Sequence, residues 1–302
     1  MTIVVAGGSG FIGTRLTRKL LALGDTVIVI DRVGPRFTHE HLFYIHCDIT
    51  QDQLPFNVLE HTDAVINLCG APINKKWTTA YKQQIRDSRI VSTRHIVESM
   101  RSATARPSVL INASATGYYG ERGDEELSEK SERGTGFLSD VVGEWESEAH
   151  KAEEFGTRVV CIRTSPVVGH GGMLTELKKS AKFGFLLKLS RRDFWQPWIH
   201  EEDIVNTYLF ALQTSTLQGP VNAAAPQEIK HAAFMRELGQ TLHRRVLGSI
   251  PGFIKEIMFG KELVPELTRN QRVTPQLLID KGFVFQYPTL AEALRDAVQP
   301  KV

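Results

Sequence analysis

The stretch IVVAGGSGFIG, residues 3–13, decides the fold of this chain of 302 residues. A short β-branched run leads into a glycine cluster, and an amphipathic segment follows from Thr14 to Leu23, closed by Gly24. The pattern predicts a buried strand, a tight turn and a helix. Such a turn points unpaired backbone N–H groups and the positive end of a helix dipole at an anion, in practice a dinucleotide pyrophosphate.

Each glycine of this turn has its own expected role. Gly7 allows a positive φ, Gly10 lets the main chain approach a ligand, and Gly13 lets the helix pack tightly on the strand. A plain βαβ turn without a ligand is the alternative. The loop residues that we expect to contact the cofactor are Gly7, Ser9, Gly10, Phe11, Ile12 and Gly13.

Strand-like and helix-like segments alternate through the first half of the chain. Strands are expected at Thr26–Ile30, Leu42–Cys47, Ala64–Leu68, Val109–Ala113 and Arg158–Arg163, and helices at about Tyr81–Met100 and Leu138–Phe155. This alternation predicts an α/β fold with a Rossmann-type, doubly wound parallel sheet. We expect residues 1–165 to form an NAD(P)-binding domain and residues 166–302 a smaller C-terminal substrate-binding lobe, with some later segments returning to the sheet.

The composition is that of an ordinary globular protein, with 42% hydrophobic residues, 23% charged residues and a net charge of +2. It gives no reason to expect nucleic acid or a membrane as a partner. The chain starts with a strand rather than a signal peptide, and no apolar run approaches the roughly 20 residues that span a bilayer. Its three cysteines lie in apolar runs that suit reduced thiols. We therefore expect a cytoplasmic protein with a small-molecule substrate, and a homodimer is compatible with the sequence.

The residues that directly follow the strands are candidate ligands, because parallel sheets bind ligands beyond the carboxyl ends of their strands. Asp31 and Arg32 follow the second strand. There an acid binds a ribose 2′-hydroxyl, which favours NAD, and a base binds a 2′-phosphate, which favours NADP. Asp48 follows the third strand and is expected to bind the adenine amino group while Ile49 packs on the base. A turn-capping aspartate is the alternative.

Small residues follow the fourth strand. Leu68, Cys69 and Gly70 are expected to let the backbone pass close to the cofactor, and a simple glycine turn is the alternative. Arg89, on the next helix, could reach the 2′-phosphate or the ribose of the cofactor, or form an ordinary surface salt bridge.

Hydroxyl groups follow the fifth strand in NASATGYYG, residues 112–120. Ser114 is expected to hydrogen-bond a substrate oxygen, and Tyr118 or Tyr119 to exchange a proton with it. Adjacent tyrosines point in different directions, so at most one is expected to reach the reacting atom. The alternative is a turn whose rings pack at the interface between the lobes.

Cations near tryptophans in the remaining loops suit a nucleotide-linked substrate, with a solvated basic loop as the alternative. These residues are Lys75, Lys76, Arg191 and Arg192, near Trp77, Trp195 and Trp198. The run HEED, residues 200–203, begins a helix, where acids stabilise the dipole, so no metal site is expected there.

Motifs spread along the chain resemble an extended short-chain dehydrogenase/reductase. They are residues 7–13, NLCG at 67–70, SATGYYG at 114–120 and WIHEEDI at 198–204. More narrowly, further motifs resemble an atypical branch that is loosely called the epimerase family, or sugar-nucleotide epimerases. These motifs are Trp77-Thr78, Ser88-Arg89, Trp145-Glu146, GPVN at 219–222 and Arg272-Val273. The resemblance implies a Rossmann fold that binds NAD(P), with a substrate pocket in the C-terminal lobe.

The chain departs from the wider family at its Tyr-x-x-x-Lys pair. None of the six tyrosines has a lysine four residues later. When the family pattern is placed on this chain at Glu146, its tyrosine and lysine fall on Leu138 and Val142, whose side chains cannot transfer protons. This loss is typical of the atypical branch. We expect an NADP-dependent oxidoreductase or epimerase acting on a small polar or nucleotide-linked substrate, with NAD as the other cofactor option and a non-catalytic NADP-binding sensor as the alternative function.

Overall fold

The computed structural model describes residues 1–171, 174, 181 and 184–299, apart from the side chains of residues 56, 258 and 259. The strands are β1 (Thr2–Ala6), β2 (Thr26–Asp31), β3 (Leu42–His46), β4 (Ala64–Asn67), β5 (Val109–Ala115), β6 (Glu126–Leu127), β7 (Arg158–Thr164), β8 (Val167–Val168), β9 (Phe185–Lys188), β10 (Ile199–His200), β11 (Gly219–Ala223), β12 (Arg245–Ser249) and β13 (Arg272–Val273). The α-helices are α1 (Phe11–Ala22), α2 (Thr79–Ser102), α3 (Phe137–His150), α4 (Glu201–Gln213), α5 (His231–Thr241), α6 (Gly252–Leu267), α7 (Gln276–Asp280) and α8 (Leu290–Val298).

A seven-stranded parallel sheet organises the described residues, with the strand order β11-β7-β5-β4-β1-β2-β3. The chain moves outward in one direction from β1 to β3 and in the other from β4 to β11, so the order reverses between β1 and β4. Ligands bind open α/β sheets at such a reversal, beyond the carboxyl ends of the strands. The predicted Rossmann-type fold is confirmed.

Both faces of the sheet are covered, which explains why its central strands are apolar throughout. One face packs on α1 and α4 through a core that includes Leu16, Leu20 and Tyr208. The other face packs on the helix pair α2 and α3, with Ile96 and Met100 among the buried side chains. Burying both faces fixes the strand ends, and these carry the loops described below.

The second half of the chain is divided between the sheet and a smaller lobe. The strand β11 completes the sheet beside β7, and α4 packs on α1. In the smaller lobe, β9 and β12 pair in parallel and a separate core lies against α5 and α8. The division into residues 1–165 and 166–302, with later segments returning to the first domain, stays a prediction.

Several element boundaries differ from the sequence-based expectation, among them three that involve α1, β5 and α3. Helix α1 begins at Phe11 rather than Thr14, because Gly10 is its N-terminal cap residue. Strand β5 runs on to Ala115, so Ser114 lies within the strand rather than after it. The helix expected up to Phe155 ends at His150, and a 3₁₀ segment, Lys151–Phe155, follows and stops at Gly156, where φ is +87°.

Candidate functional site: the loops beyond the sheet

The loop between β1 and α1 is a tight turn held by its own backbone. Gly7 has a φ of +74°, a conformation that side chains disfavour. Its N–H donates to the Ile30 carbonyl at 2.9 Å, and its carbonyl accepts the Gly10 N–H at 3.1 Å. The turn therefore joins the ends of β1 and β2 at the point where the strand order reverses.

The turn leaves no room for a side chain at position 13, which is why this residue is a glycine. A Cβ on Gly13 would lie 2.5 Å from the Gly7 carbonyl oxygen and 2.7 Å from the Gly8 Cα atom. A Cβ on Gly10, in contrast, would meet only the Gly7 oxygen, at 3.3 Å. Packing of the chain thus explains Gly13, and open space beside Gly10 leaves room for a ligand.

The start of α1 offers uncapped backbone donors. Gly10 supplies no side-chain hydrogen bond to the first turn, and the first turn has no acidic residue. The first N–H groups of a helix have no partner within the helix, so this end favours an anion. The Ile12 side chain packs against the sheet core, and the Phe11 ring lies against Gly171 and under the Arg15 guanidinium, 4.4 Å from the ring centroid.

Asp31 ties this loop to the end of β2. Its carboxylate accepts the Ser9 N–H at 3.2 Å and the Arg32 N–H at 2.7 Å, while the Ser9 hydroxyl donates to the Val33 carbonyl at 2.6 Å. Both Asp31 oxygens therefore already have a backbone donor, although a carboxylate oxygen can accept a second one.

Arg32 lies beside Asp48, with 3.9 Å between Nη1 and Oδ2, and its side chain is 62% exposed. Asp48 Oδ1 accepts the Thr50 hydroxyl at 2.7 Å and the Thr50 N–H at 3.1 Å. Burial raises the pKa of Asp48, but the Thr50 hydrogen bonds and the Arg32 charge outweigh it and lower the pKa below its usual value. Asp48 is thus both a turn-capping residue and a neighbour of Arg32.

Ile49 is buried, and its carbonyl meets the Nδ1 atom of His95 at 2.7 Å. Its side chain packs in the core of the α2 face with Cys47 and Leu54. The expected packing of Ile49 on an adenine base is untested and stays a prediction.

The loop after β4 lies directly against the glycine turn. The Leu68 N–H donates to the Ala6 carbonyl at 2.8 Å, and a Cβ on Gly7 would lie 3.0 Å from the Leu68 carbonyl carbon. Asn67, fully buried, orients the loop by accepting the Cys69 N–H at 3.1 Å. Burial raises the pKa of the Cys69 thiol to about 12, so this free cysteine is no nucleophile.

Arg89 lies under Gly70, and among the described residues it donates only to carbonyl oxygens, those of Ile85 at 3.0 Å and Ala71 at 3.1 Å. Its guanidinium lies 5.2 Å from the Trp145 ring centroid. Burial lowers the pKa of Arg89 to about 10, and it forms no ion pair with any described carboxylate. An anion near Gly70 would therefore find an arginine whose charge is not neutralised.

At the end of β5, Ser114 belongs to a buried polar network that the sequence did not reveal. Its hydroxyl donates to Glu146 Oε1 at 2.5 Å, and only 4% of the residue is exposed. Arg163 holds the same carboxylate through Nε at 2.9 Å and Nη2 at 2.8 Å. Glu146 appeared only in a family motif, and Arg163 only as the last residue of a strand, so the sequence offered no signal for their pairing.

Tyr118 and Tyr119 point in different directions, as expected. The Tyr119 hydroxyl is fully buried, donates to Asn222 Oδ1 at 2.6 Å and accepts from Arg163 Nη1 at 3.0 Å. Burial raises the pKa of Tyr119 to about 12. The ring of Tyr118 is half-buried against the Arg163 guanidinium, 3.5 Å from its centroid. Of the two rings, only that of Tyr118 is partly exposed.

The structure puts Leu138 and Val142 next to the β5 loop. A Cβ on Gly117 would lie 3.5 Å from Leu138 Cβ and 3.9 Å from Val142 Cγ2. The positions at which the wider family carries tyrosine and lysine therefore present hydrocarbon to this end of the sheet.

The basic loops do not form the expected aromatic surface. Trp77 and Trp198 are buried, and Arg192 donates to the Glu121 carboxylate at 3.0 Å. Trp195 instead lies beside Lys230 and Arg272.

Three potential metal ligands, His170, Glu201 and Asp296, have donor atoms within 4.8 Å of one another. Glu201, however, already binds the His170 ring at 2.8 Å and Arg15 at 3.0 Å. The cluster is explained as an ion-pair network, and the absence of a metal stays a prediction.

Comparison with known proteins identifies the family of this chain. Residues 3–224 match the NAD dependent epimerase/dehydratase family, and residues 250–297 match DUF1731, a domain of unknown function. The chain belongs to the NAD dependent epimerase/dehydratase family. The resemblance to the epimerase family inferred from the motifs is thereby confirmed.

Relatives from two bacteria match almost the whole chain. An epimerase family protein of Mycobacterium bovis is 36% identical over 294 residues, 97% of this chain and 96% of the relative. One of Staphylococcus haemolyticus is 34% identical over 299 residues, 98% of each chain.

Two solved structures are also similar. Human epimerase family protein SDR39U1 (isoform 2), crystallised with NADPH, is 25% identical with a TM-score of 0.84, covering 98% of this chain and 99% of that one. The nucleoside-diphosphate sugar epimerase of Corynebacterium glutamicum is 28% identical with a TM-score of 0.78, covering 99% of this chain and 58% of that one. No described helix has the length and apolar character needed to cross a bilayer.

Proposed function

We propose that this protein binds NADP(H) at loop 7–13 and acts as an oxidoreductase or epimerase on a small polar or nucleotide-linked substrate. The observation that carries the proposal is the uncapped start of α1 beside a glycine turn that a side chain would fill. Backbone N–H groups there suit a pyrophosphate, and the space beside Gly10 suits close approach. The human relative crystallised with NADPH supports the same assignment.

Arg32 favours NADP(H) over NAD(H) in this proposal. Its side chain is mostly exposed and 3.9 Å from Asp48, so it is free to pair with a 2′-phosphate. The Asp31 oxygens are turned to the N–H groups of Ser9 and Arg32, which reduces their availability to a ribose hydroxyl.

The nicotinamide ring supplies hydride chemistry when it is bound. The chain supplies orientation at the end of β5. Because the Ser114 hydroxyl donates its hydrogen bond to Glu146, its oxygen is left to accept a hydrogen bond from a substrate hydroxyl. The Tyr118 hydroxyl forms no hydrogen bond with a described residue and is the proposed proton donor or acceptor.

A test follows from these two roles. NADPH oxidation is measured against a panel of carbonyl compounds for the wild type, Ser114→Ala, Tyr118→Phe and the control Tyr287→Phe, whose hydroxyl donates to Asp296 at 3.1 Å. General acid–base groups contribute about 100-fold or more to rate. We expect a loss of that order in Tyr118→Phe, a smaller loss of up to about tenfold in Ser114→Ala, which removes one hydrogen bond to the substrate, and wild-type turnover in the control.

The second candidate is a non-catalytic NADP(H) sensor. Hydrocarbon at Leu138 and Val142, where the wider family carries its proton-transfer pair, favours it. Tight NADPH binding without turnover of any carbonyl compound, unchanged in the Ser114 and Tyr118 variants, would support the sensor and contradict catalysis.

A further inference from the structure

A cavity lies in the smaller lobe, between α5 and the two-stranded sheet of β9 and β12. Its volume is about 760 Å³, and it shares no lining residue with loop 7–13. Five of its lining side chains are basic, and none of the described ones is acidic. The five are Lys188, Arg236, His243, Arg244 and Arg245.

No described acidic side chain neutralises the positive charges around this basic cavity. Arg244 donates to the carbonyl oxygens of Ala181 at 2.9 Å and His243 at 3.1 Å rather than to a carboxylate. Lys188, Arg236 and Arg245 form no ion pair with a described residue. Arg94, in contrast, meets the Glu148 carboxylate at 2.8 Å. Like charges around one concavity repel, and an anion would relieve that repulsion.

Backbone contacts fix the spacing of the two elements that carry these cations. A Cβ on Gly239 would lie 2.8 Å from the Arg244 carbonyl oxygen and 2.9 Å from Val246 Cγ2, so α5 approaches the start of β12 closely. His243, in the turn between them, has a φ of +53°. Arg236, from the helix, and Arg245, from the strand, therefore line the same cavity from two elements whose spacing is set by contact.

The dimensions favour a small ligand. Pockets for small molecules measure roughly 300–1,000 Å³, and this cavity falls in that range. Arginine is well suited to phosphate because its planar guanidinium donates two parallel hydrogen bonds. We infer that the basic cavity is a second ligand site, for a small molecule that carries a diphosphate or two separate phosphate groups.

The probe for this site is inorganic pyrophosphate, titrated calorimetrically into the full chain at low salt. NADPH is left out because it carries phosphate groups of its own, and binding of pyrophosphate to loop 7–13 would show as an affinity that the variants of the basic cavity leave unchanged. The proteins are the wild type, Arg236→Ala, Arg245→Ala and the control Arg106→Ala, which removes an equal charge from an exposed site beyond the end of α2. Loss of one hydrogen bond to a charged group weakens binding about tenfold.

We expect saturable binding of pyrophosphate to the wild type and the control, and about tenfold weaker binding to each of the other two variants. Arg236→Lys keeps the charge and should recover part of the affinity. Absence of binding to the wild type, or equal affinity in all four proteins, overturns the inference. NADPH affinity, measured separately, should be unchanged in every variant, so failure of this site is distinguishable from failure of the proposed function.

Discussion

At the residue scale, we propose that Arg32 determines which nicotinamide cofactor the site prefers. Arg32→Ala should weaken NADPH binding about tenfold, since it removes a charge-assisted hydrogen bond to the 2′-phosphate. NADH affinity should change less than about twofold, because NADH lacks that phosphate. Fluorescence titration of both cofactors checks this, with exposed Arg36→Ala as the control. Equal losses for NADPH and NADH would contradict the assignment of Arg32.

Glu146 is expected to matter for stability as well as for the position of Ser114. Arg163 Nη2 meets Glu146 Oε2 at 2.8 Å, and both side chains are buried. Removing one partner leaves an uncompensated buried charge, which costs about 3–5 kcal/mol. Glu146→Ala should therefore lower the free energy of unfolding by that amount in urea denaturation.

Glu144→Ala is the matched control for Glu146. It removes a glutamate of the same helix that is paired with Arg86 at the surface. Exposed ion pairs contribute about 1 kcal/mol or less. Similar losses in the two variants would show that the Glu146 network is no more important than a surface pair.

At the scale of an element, the cap residue Gly10 and the helical Gly13 at the start of α1 have different expected effects. Gly13→Ala would push a Cβ within 2.5 Å of the Gly7 oxygen, so it should lower both NADPH affinity and the melting temperature. Gly10→Ala should lower NADPH affinity with little loss of stability, because only one contact, at 3.3 Å, opposes it. Gly252→Ala, whose Cβ would have no neighbour within 4 Å, is the control. Wild-type affinity in Gly10→Ala would contradict close approach of the ligand.

Helix α5 gives the fold a dependence on pH. Its first residue, His231, is 6% exposed, stacks on Phe194 and meets Gln196 Oε1 at 2.6 Å. Burial lowers the pKa of His231 to about 4, Asp193 opposes that effect and Lys188 adds to it. The unfolded chain therefore binds a proton at higher pH than the folded one.

Stability should consequently fall as the pH drops from about 6.5 to about 4, by up to about 3 kcal/mol from this group. Urea denaturation at several pH values measures it. His231→Gln should flatten the dependence in this window, and His61→Gln, an exposed control, should not. A wild-type slope in His231→Gln would show that other groups cause the pH dependence.

Local patterns predicted most elements of the sheet domain, because glycine turns and β-branched runs are coded by neighbouring residues. The start of α1 was placed too late because Gly10 is a weak capping signal. Ser114 and Tyr118 could be selected as candidates from their position near a strand end. The partner of Ser114, Glu146, lies 32 residues away, and only packing of α3 on β5 brings the two together.

At the scale of the whole molecule, the same limit applies to the smaller lobe. The basic cavity depends on pairing of β9 with β12 and on α5 lying over them, so three separate segments contribute its cations. No pattern of neighbouring residues in the sequence indicates that these three segments lie together. Sequence patterns therefore predicted the glycine loop, which is contiguous, and missed the buried network and the cavity, which are assembled from distant parts.

The central claim is that the backbone N–H groups of loop 7–13 bind the pyrophosphate of NADP(H). The most direct measurement is a ¹⁵N NMR titration of the full chain with NADPH. We predict saturable shifts that are largest for the amides of residues 8–13, with smaller ones near Arg32. Unchanged amides in that loop at saturating NADPH, whether the cofactor binds elsewhere or not at all, would contradict the account.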